Sequence, residues 1–381
     1  SGTLLIPVGA NTTRCAMGNG PLWQRCALAL LPWLFAAEAI SGLQRGRRIA
    51  EEELDEESFE FFTGVDLSMC SRLLGNATMK AVREMPARAP KTRPSTMPTT
   101  PAVLYFLHIP KAAGGSFDAD VRDMLGDSVM MYLSKEGCYE WASCVPDAGV
   151  VTLLRNPRSH VLSQYAHCTS LPTRPEKWKE EMPPFEEWIR RWAEMRENGE
   201  AYDDFAPKVP KGRGPKEVAN TETRTPFKCY SPIDMQTQRL ACQQTFNYKT
   251  GRTLDMPSIA RSNLRKSWMV GIVEAYPESM CLLYEKVHQE LPDTCNCLAS
   301  EDGRGRPPNT GRQMTYGVRP HSLDDVPEDV LQVVDRLTAA DRQLYREGVQ
   351  RFVREVRAAE ARHGTQVLCN ATFSKLQPYL D

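Results

Sequence analysis

The sequence predicts an α/β fold of three layers, with a mainly parallel sheet flanked by helices. Two observations carry that reading. Beyond residue 101, apolar runs of strand length alternate with segments of helical period. The runs are also continuous rather than alternating, as strands buried on both faces must be.

VLYFLHI (103–109) is the first such strand, and SFDADVRDML (116–125) follows as a helix. SVMMYL (128–133) and GVVTLL (149–154) read as the second and third strands. The third runs into NPRSHVLSQYAHC, where Val161, Leu162 and Tyr165 suit one helix face. PFEEWIRRWAEM (184–195) is an amphipathic helix that opens with proline. SPIDMQTQRLACQ (231–243) reads as helix, WMVGIVE (268–274) as strand and SMCLLYEKVHQEL (279–291) as helix. Residues 200–230 read as a long irregular excursion and 303–322 as a loop. The stretch from Pro327 to His363 reads as two helices, with Thr338 and Asp341 as candidate caps at the break.

The chain of 381 residues has room for one large domain or two small ones. Its formal charge of -1 argues against a generally nucleic-acid-binding surface, so no nucleic-acid partner is expected. Twelve cysteines are many for a reducing compartment, and they form no paired CxxC pattern; Cys295 and Cys297 make a CxC. An oxidising lumen with several disulfides is the better reading, and no metal is expected.

The N-terminal region divides by composition. Residues 1–16 lack a leading methionine and read as sequence upstream of a start at Met17. Residues 17–39 have the layout of a secretory signal: a lead ending in Arg25, the apolar CALALLPWLFAA and a small-residue end at Ala37-Glu38-Ala39. An uncleaved membrane anchor is the rival, since Arg45, Arg47 and Arg48 follow; a buried N-terminal helix is a third reading. Residues 40–101 form an acidic stem and a proline-rich linker, leaving 102–375 as the folded domain. Asn76-Ala77-Thr78 and Asn370-Ala371-Thr372 are sequons that would carry N-glycans in a lumen.

The chemistry concentrates where the first strand ends. Lys111, Ala112, Ala113, Gly114, Gly115, Ser116 and Phe117 join the strand to its helix. The two glycines let backbone approach an oxyanion. The helix start offers free amides and the positive end of a dipole, and Lys111 adds an ammonium. A nucleotide-triphosphatase loop would place its lysine after the glycines, whereas here the lysine comes first. A second cation, Arg155, closes the strand 149–154, and Ser163 follows eight residues later.

His108-Ile-Pro-Lys111-Ala-Ala-Gly114-Gly115-Ser116-Phe117 resembles the 5′-phosphosulfate loop of Golgi carbohydrate sulfotransferases, nearest to the heparan sulfate 6-O- and 2-O-sulfotransferase group. LLRNPRSHVLSQY is similar to that family's 3′-phosphate motif, which places Arg155 and Ser163 on the 3′-phosphate. Further similarity in DMQTQRLA (234–241), VGIVEAYPESMCLLYE (270–285) and DRQLYREGVQRF spreads the resemblance over most of residues 102–355. It implies a three-layer, P-loop-like fold that takes 3′-phosphoadenosine 5′-phosphosulfate (PAPS), with a glycan acceptor. The implied setting is the Golgi lumen, as a type II membrane or soluble secretory-pathway protein.

The resemblance implies in-line transfer of a sulfuryl group to a hydroxyl, with Lys111 neutralising charge on the departing nucleotide. The family's histidine base is missing, since the corresponding stretch reads Glu136-Gly-Cys-Tyr139-Glu140-Trp141. Glu140 is the candidate base, and a surface carboxylate is the alternative reading. His108 is read as structural; His160 and His167 are read as packing or solvent-facing, with one of them facing the acceptor as the alternative. Arg312 and Arg319 lie in the loop that folds over the nucleotide in the resembling family, with Arg312 expected on the cofactor. Gln236 and Gln238 are candidates to reach cofactor or acceptor from their helix, with exposed helix positions as the alternative reading. The basic stretch 207–217, with Arg224 and Lys228, is a candidate holder of anionic polysaccharide. Cys138 and Cys144 flank Trp141 and are candidates for one small disulfide loop. Protein-tyrosine sulfation, a nucleotide-kinase-like activity and a non-catalytic glycan-binding relative remain as alternatives.

Overall fold

The computed structural model describes residues 5–8, 11–14, 70–71, 74–84, 100–125, 129, 131–145, 147–170, 180–198, 227, 229–242, 256–298, 307, 310, 314–315, 318 and 320–380. The chain divides into two compact units, Ser1–Thr63 and Gly64–Asp381. In the first, β1 (Leu5–Val8) pairs antiparallel with β2 (Asn11–Arg14). The signal-like residues 17–39, most of the linker, the basic stretch 207–217 with Arg224 and Lys228, and both Arg312 and Arg319 lie outside the described residues. Among those described, no helix is long and apolar enough to cross a membrane.

The second unit is α/β. It begins with α1 (Asn76–Arg83), then β3 (Val103–Leu107), α2 (Gly114–Leu125) and β4 (Met131–Lys135). β5 (Ala148–Leu154), α3 (Pro157–Ser170), α4 (Phe185–Glu197), α5 (Met235–Ala241) and α6 (Met256–Lys266) come next. β6 (Met269–Ile272), α7 (Tyr276–His288), α8 (Glu328–Leu337), α9 (Ala339–His363) and α10 (Asn370–Leu376) complete it.

The four strands β3 to β6 form an all-parallel sheet in the order β4-β3-β5-β6. Every residue of β3 is buried, which is why the stretch reads as an unbroken apolar run. From β3 the chain passes through α2 to β4 on one side, and β5 then takes the place on the other side. The order therefore reverses between β3 and β5. In such sheets the crevice beyond the carboxyl ends at the reversal is where ligands bind. The turn 108–113 and Arg155 both fall there.

The folded unit is larger than residues 102–375. Met79 and Val82 of α1 are buried in the main core, and Cys70 is bonded to Cys144. A helix of two turns with two buried residues leaves little periodic signal, and a covalent bond does the holding. A second apolar cluster gathers Trp188 and Trp192 of α4 with Val330, Val333 and Val334 of α8.

The disulfides differ from the small loop expected. Cys144 pairs with Cys70, and Cys138 pairs with Cys242, so the 3₁₀ turn Tyr139–Cys144 is tied at both ends to distant chain. The fold brings Cys70 to Cys144 with Cα atoms 5.4 Å apart and Cys242 to Cys138 with Cα atoms 5.0 Å apart, both within disulfide reach. Cys168–Cys229, Cys281–Cys295 and Cys297–Cys369 complete five bonds among the described residues. This number fits an oxidising secretory or extracellular environment. Asn76 and Asn370 are exposed, each opening a helix.

The break between α8 and α9 is also capped differently. Thr338 Oγ1 donates back to Val334 O, and it is Asp234 that accepts from the first amides of α9, at Ala340 and Asp341. Asp341 in turn accepts from Gln236 N and Thr237 N at the start of α5. Each aspartate caps the other's helix, a tertiary exchange that no local motif reports.

Candidate functional site

The 108–113 turn leaves β3 under strain. Lys111 (φ 65°) and Ala113 (φ 59°) both adopt left-handed backbone, which costs a non-glycine residue on the order of 1–2 kcal/mol. Gly114 follows because nothing larger fits. A Cβ there would lie 1.9 Å from His108 Nε2. The first-turn amides of α2, at Gly114, Gly115 and Ser116, have no carbonyl partner within the helix. Phe117 is buried and packs on Phe106, with ring centroids 4.3 Å apart, so it anchors the helix rather than facing a ligand. Ala112 is buried and Ala113 half-buried.

One face of α3 holds this turn in place. His160 is buried and donates from Nε2 to Pro110 O at 2.7 Å; burial pushes its imidazole down to about 3, so it stays neutral. The Arg155 guanidinium, just before α3, donates from Nη1 to Lys111 O at 2.9 Å. Lys111 Nζ donates to His167 Nδ1 at 3.1 Å. His160, Ser163 and His167 are spaced three and four residues apart, so the buried Ser163 shares their face, toward the turn.

Lys111 and Arg155 thus meet in one place. Burial and the Arg155 charge push the Lys111 ammonium down to about 8, while Glu136 pulls the other way. Arg155 is lowered as well, mainly by burial. Its Nε is buried with no hydrogen-bond partner among the described residues. The turn thus gathers two cations, Arg155 bonded to the Lys111 main chain and keeping one buried donor without a partner among the described residues.

Arg155 is fixed by its main chain. Gln236 spans its peptide groups, accepting from Arg155 N at 2.9 Å and donating to Arg155 O at 2.9 Å. Gln236 is therefore a support for the arginine and does not face a ligand directly. Gln238 donates to Ile233 O within its own turn. Behind Arg155, Glu274 accepts from Asn156 N and from Tyr345 OH, its carboxyl raised by burial. Asn156 Oδ1 caps α3 at Arg158 N and Ser159 N. None of these supports was expected from the sequence; Gln236 is read there as a ligand contact or an exposed helix position, yet it and Gln238 are buried, and Glu274 carries no signal beyond an acidic residue after a strand.

The carboxylates near the turn are less gathered. Glu140 is exposed on the 3₁₀ turn, its carboxyl raised by partial burial, and its amide donates to Cys242 Sγ. The carboxylate felt by Lys111 is instead Glu136, beyond the end of β4, which also lies 3.8 Å from His108 Nε2. Position at a parallel-strand end was the signal that could have singled out Glu136. Met314 N donates to Ser116 Oγ at 3.0 Å, so Met314 reaches the start of α2. A cavity of ≈ 940 Å³ lies between α4 and residues 320–327 and touches α3 at Leu162, beside Ser163. No family model matches the chain, and no curated protein is similar to it.

Proposed function

We propose that the protein transfers a sulfuryl group from PAPS to an acceptor hydroxyl on a glycan in the secretory pathway. The observation that carries this reading is the contact of Lys111 and Arg155 at the reversal of the sheet. PAPS is anionic at both ends, and a lysine loop paired with a fixed arginine suits it better than it suits ATP, which lacks a 3′-phosphate. The 5′-phosphosulfate takes the amides of Gly114, Gly115 and Ser116 together with Lys111. The 3′-phosphate takes Arg155, whose unpartnered Nε offers a second donor for a bidentate grip, and Ser163. The P-loop-like fold belongs to this reading, as does Arg312 in the segment whose Met314 reaches Ser116.

In the transfer, Lys111 holds the oxygen that joins sulfur to the departing nucleotide and neutralises charge as the bond breaks. The acceptor hydroxyl gives its proton to a carboxylate. Glu140 is the candidate for that base, because partial burial raises its carboxyl and makes it the stronger base, and Glu136 competes through its place beside Lys111. A Glu140→Gln enzyme that keeps near-full turnover, beside an inactive Glu136→Gln, moves the assignment to Glu136.

The experiment is turnover of sulfur-labelled PAPS against a panel of sulfated and unsulfated glycans, with tyrosine peptides alongside. Label on a glycan is the expected result. Label on peptide alone makes this a tyrosine sulfotransferase, and tight glycan binding without label makes it a binding protein.

A further inference from the structure

Lys111 has a partner that the proposed chemistry does not use. Its Nζ donates to His167 Nδ1 at 3.1 Å. The imidazole is itself held. His167 and Tyr230 are the chain neighbours of Cys168 and Cys229, which are disulfide-bonded, and the two rings pack with centroids 5.7 Å apart. The other charged groups bearing on Lys111 are Arg155 and Glu136.

We infer that His167 is the positioning residue for Lys111, aiming the ammonium across the mouth of the turn before donor arrives. This rests on the sulfotransfer reading and deepens it. A lysine has four rotatable bonds, and a free one samples many directions. An acceptor at Nδ1 selects the direction that faces the Gly114 amide end, and the ammonium keeps two further N–H donors for the incoming anion. His167 must then carry its proton on Nε2. The Cys168–Cys229 bond turns this into a preset geometry by fixing Tyr230 against the ring.

The test uses the whole protein. His167→Ala is expected to lower kcat for PAPS turnover by about tenfold to a hundredfold, the usual cost of a misplaced catalytic group, with KM for PAPS little changed. His167→Asn, whose amide oxygen stands close to the place of Nδ1, is expected to recover most of the loss. Unchanged kcat in His167→Ala overturns the inference. So does equal impairment of both variants accompanied by equal loss of thermal stability, which marks a role in packing alone. A separate arm needs no substrate: ¹⁵N spectra of the imidazole are expected to show His167 Nδ1 unprotonated, and a proton on Nδ1 overturns the inference. A wild-type protein inert toward PAPS while Nδ1 is unprotonated would instead remove the sulfotransfer reading and leave the lysine–histidine contact standing.

Discussion

The two strand ends that frame the site are built in opposite ways. The end of β3 is a strained turn, with left-handed Lys111 and Ala113 and a glycine pressed against His108. The end of β5 carries no such strain; the Arg155 main chain is gripped at both peptide groups by Gln236, and Asn156 by Glu274. On the proposed reading, one side is a mouth that passes close to an anion, and the other is a post that must not move. The difference teaches where function tolerates change: the mouth through its backbone, the post through its supports.

The sharpest way to break the comparison is at the mouth. Lys111→Met is expected to reduce turnover by about 10²–10³, with the melting temperature nearly unchanged, because the side chain is only partly buried. Retained turnover would make the turn a structural feature. The post should fail differently. Gln236→Leu leaves the Arg155 amide and carbonyl unpaired in a buried setting, at about 1–3 kcal/mol for each group. Thermal denaturation should show that loss together with weakened nucleotide binding, whereas Lys111→Met loses turnover and nucleotide affinity without the loss of thermal stability.

Gly114→Ala sharpens the contrast, since its Cβ would strike the His108 ring. The expected cost is about 1–3 kcal/mol, seen in chemical denaturation. A His108→Ala background should remove most of it, and an equal cost in both backgrounds would disprove the contact. The smallest effect is in pH. With Lys111 at about 8, well below an ordinary lysine, the ammonium is lost as pH rises through that value. Affinity for an anionic nucleotide should therefore fall by about tenfold between pH 7 and 9, as one charge-assisted hydrogen bond disappears. Calorimetry on Lys111→Arg should give a flat profile across the same range.

The same contrast explains what could be read in the sequence. The mouth was legible because its chemistry is local: a continuous apolar strand, a lysine and two glycines lie within a dozen residues. The strands 103–107 and 148–154 and the helices 157–170 and 339–363 followed from burial and period alone. The post was only half legible. Arg155 announced itself at a strand end, but Gln236 reaches it across 81 residues and Glu274 reaches Asn156 beside it across 118. Local pattern carries no record of such pairings. The helices 76–83, 256–266 and 370–376 were missed for a related reason, since each buries only one or two apolar residues. Cysteine pairing likewise needed the fold, because Cys138 and Cys144 are close in sequence yet find Cys242 and Cys70.

The central claim is that one nucleotide with two phosphates bridges the mouth and the post. Calorimetry comparing adenosine 3′,5′-bisphosphate with adenosine 5′-monophosphate, in wild type and Arg155→Ala, tests it most directly. The account predicts that the bisphosphate binds wild type about tenfold to a hundredfold more tightly, from the 1.5–3 kcal/mol of a charge-assisted hydrogen bond, and that Arg155→Ala erases the preference. Equal affinity of the two nucleotides for wild type, or a preference that survives Arg155→Ala, would contradict it.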